Sequence, residues 1–169
     1  TEPVPFQQWT GYIVVNTTLE RSLFYWFMES QSNPATDPVV LWLQGGPGCA
    51  GTWAIFQEHG PYRIQPDNTV VLNNLSWNKK ANVIYIDSPA GVGFSYANTT
   101  QGLHNNDNET ALDNYHFLQG FFQVFPQFAS NPLWITGESY GGVYAPTLVN
   151  NIIDGNDQSL KAALRGFMV

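Results

Sequence analysis

The 169-residue sequence predicts an α/β fold, in which a mixed, mostly parallel sheet is flanked by helices. Three observations predict it. The nearly all-apolar runs Val39–Leu43 and Val83–Ile86 have the composition of strands buried on both faces, as in a sheet covered by helices on either side. Apolar residues recur at spacings of three and four from Thr110 to Phe125, the period of an amphipathic helix. Short strand-like runs come first and strand–helix alternation follows, so the sheet is mixed at its first edge.

Along the chain, Tyr12–Val15, Leu23–Met28, Val39–Leu43, Val83–Ile86 and Leu133–Thr136 read as strands. Each is β-branched or aromatic and bounded by Gly, Pro, Asn or Ser. A weak helical pattern runs from Thr52 to Glu58. The Thr110–Phe125 helix carries Leu112, Tyr115, Leu118, Phe122 and Phe125 on one side. Thr110-x-x-Asp113 resembles a capping box at its start, and Pro126 lies just past its end. Asn98–Asn108 is polar and reads as a loop, Gly142–Ile153 as a further helix, and Gly166–Val169 as the beginning of a strand. There is no internal repeat, and residues 1–169 show no domain boundary.

Composition narrows the function. Charged residues make up only 11% against 43% hydrophobic, which a disordered chain does not show. Aromatic residues reach 15%, which favours a large buried area or a binding cleft. The net charge of −7 repels phosphate backbones, so nucleic acid is excluded as a partner. No apolar run approaches the roughly 18 residues of a membrane span, and Thr1-Glu2-Pro3 reads as a processed terminus. Four glycosylation sequons, at Asn16, Asn74, Asn98 and Asn108, point to the secretory pathway. The single cysteine, Cys49, is compatible with a buried apolar residue, a nucleophile, or half of a disulfide to a segment outside this chain. No H-E-x-x-H, C-x-x-C or P-loop is present, so no metal or cofactor is called for.

The chemistry concentrates in Gly137-Glu138-Ser139-Tyr140-Gly141. It fits Gly-x-Ser-x-Gly, with the apolar Leu133–Thr136 run before it and a helical pattern after it. That context makes Ser139 a candidate nucleophile on a strained strand-to-helix turn, where helix N–H groups favour developing negative charge. The glycines leave room for the turn. Gly45-Gly46-Pro47-Gly48 follows the Val39–Leu43 strand directly, where a fold with such a turn takes its other oxyanion donor. Gly46 and Tyr140 are therefore the candidate N–H pair. Gly46–Gly51 also satisfies G-x-G-x-x-G, but no acidic residue ends a strand about 20 residues later, and Pro47 removes an N–H from the loop. A dinucleotide site is the weaker reading.

Several segments together resemble the serine carboxypeptidase family, the group of cathepsin A. They include Trp9-Thr10-Gly11-Tyr12, Trp42-Leu43-Gln44-Gly45-Gly46-Pro47-Gly48-Cys49, Glu58-His59-Gly60-Pro61, Asp87–Tyr96 and Gly137–Gly142. The resemblance implies the N-terminal part of an α/β-hydrolase domain, about the first third to two-fifths of a family member. It implies Ser139 as nucleophile, Gly46 and Tyr140 as oxyanion hole, and Gln44, Gly45, Glu58 and Glu138 around the substrate carboxylate. Glu58 and Glu138 would share a proton, since two close carboxylates do not both ionise cheaply. Trp53 and Gln57 would flank the leaving-residue pocket, although core packing accounts equally well for Trp53. Cys49 would be half of a disulfide whose partner lies outside the chain.

Gln44 departs from the family, which has Asn there. Plant acyltransferases of the family also depart at this position. Reverting Gln44→Asn is expected to improve turnover of C-terminal substrates. A triad on this fold runs in the order Ser, acid, His, yet no histidine follows Ser139. The segment alone is therefore expected to be inactive, with the triad acid and base in the remaining part of the same protein. The implied reaction releases C-terminal amino acids from peptides through an acyl-serine intermediate, in a lysosomal, vacuolar or extracellular setting. Acyl transfer on the same scaffold and a non-catalytic, truncated relative that binds or stabilises a partner are the alternatives. The oligomeric state stays open, a homodimer included.

Overall fold

A computed structural model describes residues 4–169, so the Thr1–Pro3 terminus lies outside the described residues. The chain begins with an antiparallel pair, β1 (Gln8–Asn16) and β2 (Arg21–Met28), in which Gly11 faces Tyr25 and Ile13 faces Leu23. β3 (Val39–Leu43) leads into the short α1 (Thr52–Gln57). A small hairpin of β4 (Tyr62–Ile64) and β5 (Val70–Leu72) follows, then β6 (Asn82–Ile86) and the two-residue β7 (Tyr96–Ala97). The second half alternates: α2 (Asp107–Val124), β8 (Leu133–Gly137), α3 (Gly141–Asp154), α4 (Gln158–Ala163) and β9 (Leu164–Met168).

The main sheet has the order β1-β2-β6-β3-β8-β9, with β7 paired to β2. β1, β2 and β7 run antiparallel to their neighbours, whereas β6, β3, β8 and β9 are parallel. This is the mixed first edge and parallel remainder expected from the sequence. β3 and β6 are buried at every position, which explains why Val39–Leu43 and Val83–Ile86 are apolar rather than alternating.

Two apolar layers sandwich the sheet. On one side Leu23, Phe27, Leu41, Ile84, Ile135, Phe117, Phe121 and Leu148 pack β2, β3, β6 and β8 against α2 and α3. On the other, Met28, Val40, Trp42, Val83 and Tyr85 meet Ala54 and Ile55 of α1, with Phe56 and Tyr62 at the margin. Aromatic edges fill the first layer: Phe27 meets Phe121 with ring centroids 5.0 Å apart and Phe125 at 5.2 Å.

The structure corrects three local readings. α2 starts at Asp107, not Thr110; Asn106 caps it, its side chain accepting from the Glu109 N–H. Thr110 is buried inside the helix and is no capping residue. The expected Asn98–Asn108 loop is partly ordered, with a 3-10 turn at Gln101–Leu103 and the first turn of α2 at its end. It is held by Arg21, which is fully buried at the start of β2. The Arg21 guanidinium donates to the Gly102 and His104 carbonyls and pairs with Asp113 at 3.0 Å and Glu109 at 2.8 Å.

Candidate active site

The site forms at the carboxyl ends of the parallel strands β3, β6 and β8, where open α/β sheets place ligands. β8 ends at Gly137 and α3 begins at Gly141, so Glu138, Ser139 and Tyr140 make the whole turn. Ser139 takes a left-handed backbone conformation, φ 53°. Such a conformation costs a residue with a side chain of order 1–3 kcal/mol. The Gly141 and Gly142 N–H groups bond back to Glu138 and Ser139 carbonyls at 2.7 and 2.9 Å, which closes the turn and starts the helix. Ser139 is exposed, so its hydroxyl faces the solvent side of the sheet.

The glycine loop after β3 presses on this turn. A Cβ added to Gly45 would lie 2.7 Å from the Glu138 carbonyl oxygen, 2.9 Å from Ser139 Cβ and 2.9 Å from the Tyr140 nitrogen. Only glycine permits that approach. The same holds at Gly137, whose added Cβ would meet the Leu43 carbonyl at 2.7 Å. Among the described residues, neither the Gly46 nor the Tyr140 N–H is engaged by a backbone acceptor. Tyr140 caps α3, so its N–H is one of the groups a helix leaves unpaired. These two donors lie on the loop and the turn that touch at Gly45, and free N–H groups are the kind of donor a developing oxyanion requires.

Gln44, Glu58 and Glu138 converge next to the turn. The Gln44 amide nitrogen donates to Glu58 Oε1 at 2.9 Å and Glu138 Oε1 at 3.1 Å. Its oxygen accepts from the Trp42 indole N–H at 2.8 Å. The amide orientation follows from its neighbours: an indole N–H only donates and a carboxylate only accepts, so the NH₂ must face the two acids. Gln44 is buried, whereas Glu138 is exposed and Glu58 partly so. The pair of acids is thus held together by one shared amide and open to solvent on one side.

The other expected positions resolve as follows. Trp53 is 60% exposed in this chain. Gln57 is also exposed, at the end of α1. Cys49 is exposed with a free thiol in this chain. Asn74, Asn98 and Asn108 are exposed; Asn16 is half-buried and its side chain accepts from the Leu19 N–H. None of the three histidines hydrogen-bonds Ser139. His116 bonds the Val15 carbonyl, and His104 contributes its carbonyl to Arg21. His59 is stacked on Trp77 at a centroid distance of 3.9 Å, with Trp42 edge-on at 4.2 Å.

Sequence reasoning missed four supporting side chains. Trp42 looked like one more apolar strand residue, yet its N–H orients Gln44. Asp87, fully buried at the end of β6, accepts from the Thr52 N–H at 3.0 Å and the Phe94 N–H at 2.9 Å, tying α1 to the loop before β7. Asp107 accepts from the Tyr140 hydroxyl at 3.1 Å, and this contact raises the pKa of that phenol. His59 packs behind Trp42; burial first, then the Arg63 charge, lowers its pKa to about 4. Its Nε2 is buried without a partner, while Nδ1 meets the Tyr85 hydroxyl at 3.1 Å.

Sheet order and a strand-to-helix turn that carries an exposed serine define the α/β-hydrolase fold. The sequence model of the serine carboxypeptidase family matches residues 1–169. The chain is 44% identical to serine carboxypeptidase-like 20 of Arabidopsis thaliana across 98% of its own length and 35% of that relative's. It is 45% identical to the lysosomal protective protein of Mus musculus, across 95% of this chain and 34% of that one. A solved prohormone-processing carboxypeptidase from Saccharomyces cerevisiae, Kex1, superimposes with a TM-score of 0.83 at 27% identity, covering 96% of this chain and 38% of that one. The chain belongs to the serine carboxypeptidase family. It spans about a third of the length of the curated relatives it matches.

Proposed function

We propose that this chain carries the nucleophile and the carboxylate-binding half of a serine carboxypeptidase that removes C-terminal residues from peptides. Ser139 attacks the carbonyl of the last peptide bond. The Gly46 and Tyr140 N–H groups receive the oxyanion, and the acyl-Ser139 ester is then released to water. Gln44, Gly45, Glu58 and Glu138 bind the free C-terminus, with Trp53 and Gln57 beside the leaving residue. The observation that carries this reading is the Gln44 amide bridging Glu58 and Glu138 beside the Gly45–Ser139 contact.

The proton acceptor for Ser139 and its acidic partner come from the part of the protein outside this chain. Covering 35% of the relatives' length and having no histidine after Ser139 both support that assignment. The sequons and the lysosomal relative support a secretory-pathway location, lysosomal, vacuolar or extracellular. Cys49, exposed at the site, is assigned half of a disulfide to the same missing part.

Gln44 favours one second reading, acyl transfer to an alcohol, because the side chain departs from the family's Asn where the leaving residue's carboxylate is held. The test is the full-length protein with a blocked dipeptide at acidic pH, with and without an added alcohol acceptor. Release of the free amino acid, lost in Ser139→Ala and raised in Gln44→Asn, supports the peptidase. Ester product exceeding hydrolysis supports transfer. Absence of both, with no covalent serine labelling, leaves a non-catalytic relative.

A further inference from the structure

α2 and α3 run side by side, and between them lies a groove of about 230 Å³ lined by Asn108, Ala111, Thr147, Asn150 and Asn151. Its lining is unusual for a space between two packed helices. Three carboxamides and a hydroxyl face it, and Ala111 supplies an apolar floor. Among the described residues, the side chains of Asn108, Asn150 and Asn151 make no hydrogen bond with the protein; the Thr147 hydroxyl donates to the Val143 carbonyl at 2.7 Å and keeps its lone pairs free. A groove with free amide donors and acceptors around a small apolar patch suits a pyranose ring, which presents hydroxyls at its rim and C–H groups on its face.

One wall of the groove, Asn108, is itself a sequon asparagine, Asn108-Glu109-Thr110. The geometry points to an N-linked glycan at Asn108 whose first N-acetylhexosamine lies in the α2–α3 groove and bonds the Asn150 and Asn151 amides. In the attachment, the Asn108 amide nitrogen forms a bond to C1 of the sugar and gives up a proton. The bond from C1 to the pyrophosphate of a lipid-linked oligosaccharide breaks. Thr110 is buried in the folded chain, so attachment precedes the docking of α2. The other sequons lack such a seat. Asn16 is half-buried with its oxygen committed to the Leu19 N–H, and neither Asn74 nor Asn98 lines this groove.

The seat matters because of what lies beside it. Asp107 precedes Asn108 and holds the Tyr140 hydroxyl, and Tyr140 is the residue after the nucleophile. A sugar packed between α2 and α3 would fasten the start of α2 to the helix that carries the active-site turn.

The inference rests on the secretory location argued above. The test uses full-length protein from a eukaryotic secretory host, with glycopeptide mass spectrometry at each sequon. Melting temperatures follow for the glycoprotein, for material trimmed to one N-acetylglucosamine, and for Asn108→Gln. Occupancy at Asn108 is expected, with trimming leaving Tm unchanged and Asn108→Gln lowering it by about 2–4 °C. Asn150→Ala/Asn151→Ala should lower Tm in the glycoprotein but not in the Asn108→Gln background. Glycan at Asn74 or Asn98 with none at Asn108 overturns the site alone. No glycan at any sequon overturns it together with the secretory location. Equal effects of the Asn150/Asn151 substitutions in both backgrounds show a glycan that does not enter the groove, and also overturn it.

Discussion

Gly45 and Ser139, in the loop after β3 and the turn after β8, two strands whose ends lie side by side in the sheet, approach so closely that a Cβ on Gly45 would stand 2.9 Å from that of Ser139. The Glu138 carbonyl is closer still at 2.7 Å, so a side chain here forces the backbone to shift. Gly45→Ala should therefore displace the nucleophile turn by some tenths of an ångström to an ångström. A displacement of that size costs about 100-fold in rate. Labelling of Ser139 by an active-site serine reagent in the full-length protein should slow correspondingly; an unchanged labelling rate would show that the turn is looser than this contact implies.

Ser139 itself holds strain. At φ 53° it sits where glycine is comfortable and a side chain is not. Ser139→Gly should abolish activity and raise stability by about 1 kcal/mol, whereas Ser139→Ala should abolish activity with little gain. Thermal denaturation of both variants checks this, and equal melting temperatures would count against strain at the turn.

The Gln44 bridge predicts a binding defect. Gln44→Leu leaves the Trp42 N–H unpaired and takes from Glu58 and Glu138 the amide donor they share. Losing hydrogen bonds to charged groups costs about 1.5–3 kcal/mol each. KM for a peptide with a free C-terminus should rise at least tenfold, with a much smaller change for a C-terminal amide or ester. Equal effects on both substrates would remove Gln44 from carboxylate recognition.

His59 predicts a pH dependence of stability. Its pKa in the folded chain is lowered to about 4, against about 6.5 for a free imidazole. Between those values the unfolded chain binds a proton that the folded chain does not. Stability is therefore complete above pH 6.5 and falls as pH drops towards 4, by up to about 3 kcal/mol. His59→Phe keeps the stacking on Trp77 and cannot titrate. Its Tm should fall less than that of the wild type across this window; parallel curves would exclude His59 as the source.

Arg21 predicts a folding defect. It is fully buried, and Asp113, buried beside it, has a pKa raised by burial and pulled back by the Arg21 charge. Arg21→Met leaves Asp113 without its cation, a change that costs about 3–5 kcal/mol when a buried pair is broken. Loss of soluble, secreted protein, partly rescued by Asp113→Asn in the same chain, is the expected outcome.

Much of this was legible in the sequence because the strands near the site are buried on both faces. Val39–Leu43, Val83–Ile86 and Leu133–Thr136 announce themselves as strand-like runs, and the strand before Gly-x-Ser-x-Gly together with the helical pattern after it marks the turn. The β4–β5 hairpin was not legible, since its strands have three residues each and β5 is exposed throughout, so no burial pattern is written into them. The start of α2 was misread because Thr110 looks like a cap, whereas Asn106 does the capping from within a polar stretch. The supporting residues of the site were hidden for a different reason. Trp42 acts through its indole N–H alone, from within a run whose composition reads as core, and Asp107 acts on Tyr140, 33 residues away, a partner that appears only when α2 and α3 are in place.

The shared Gln44 amide has an evolutionary consequence. Every group proposed to grip a peptide's end lies between positions 44 and 138, and among the described residues no histidine is hydrogen-bonded to Ser139. On the proposed assignment, holding the tail of a substrate and activating the serine that cuts it are encoded in different stretches of polypeptide. A descendant could forfeit the second skill and keep the first, becoming a receptor for peptide tails without any redesign of its sheet.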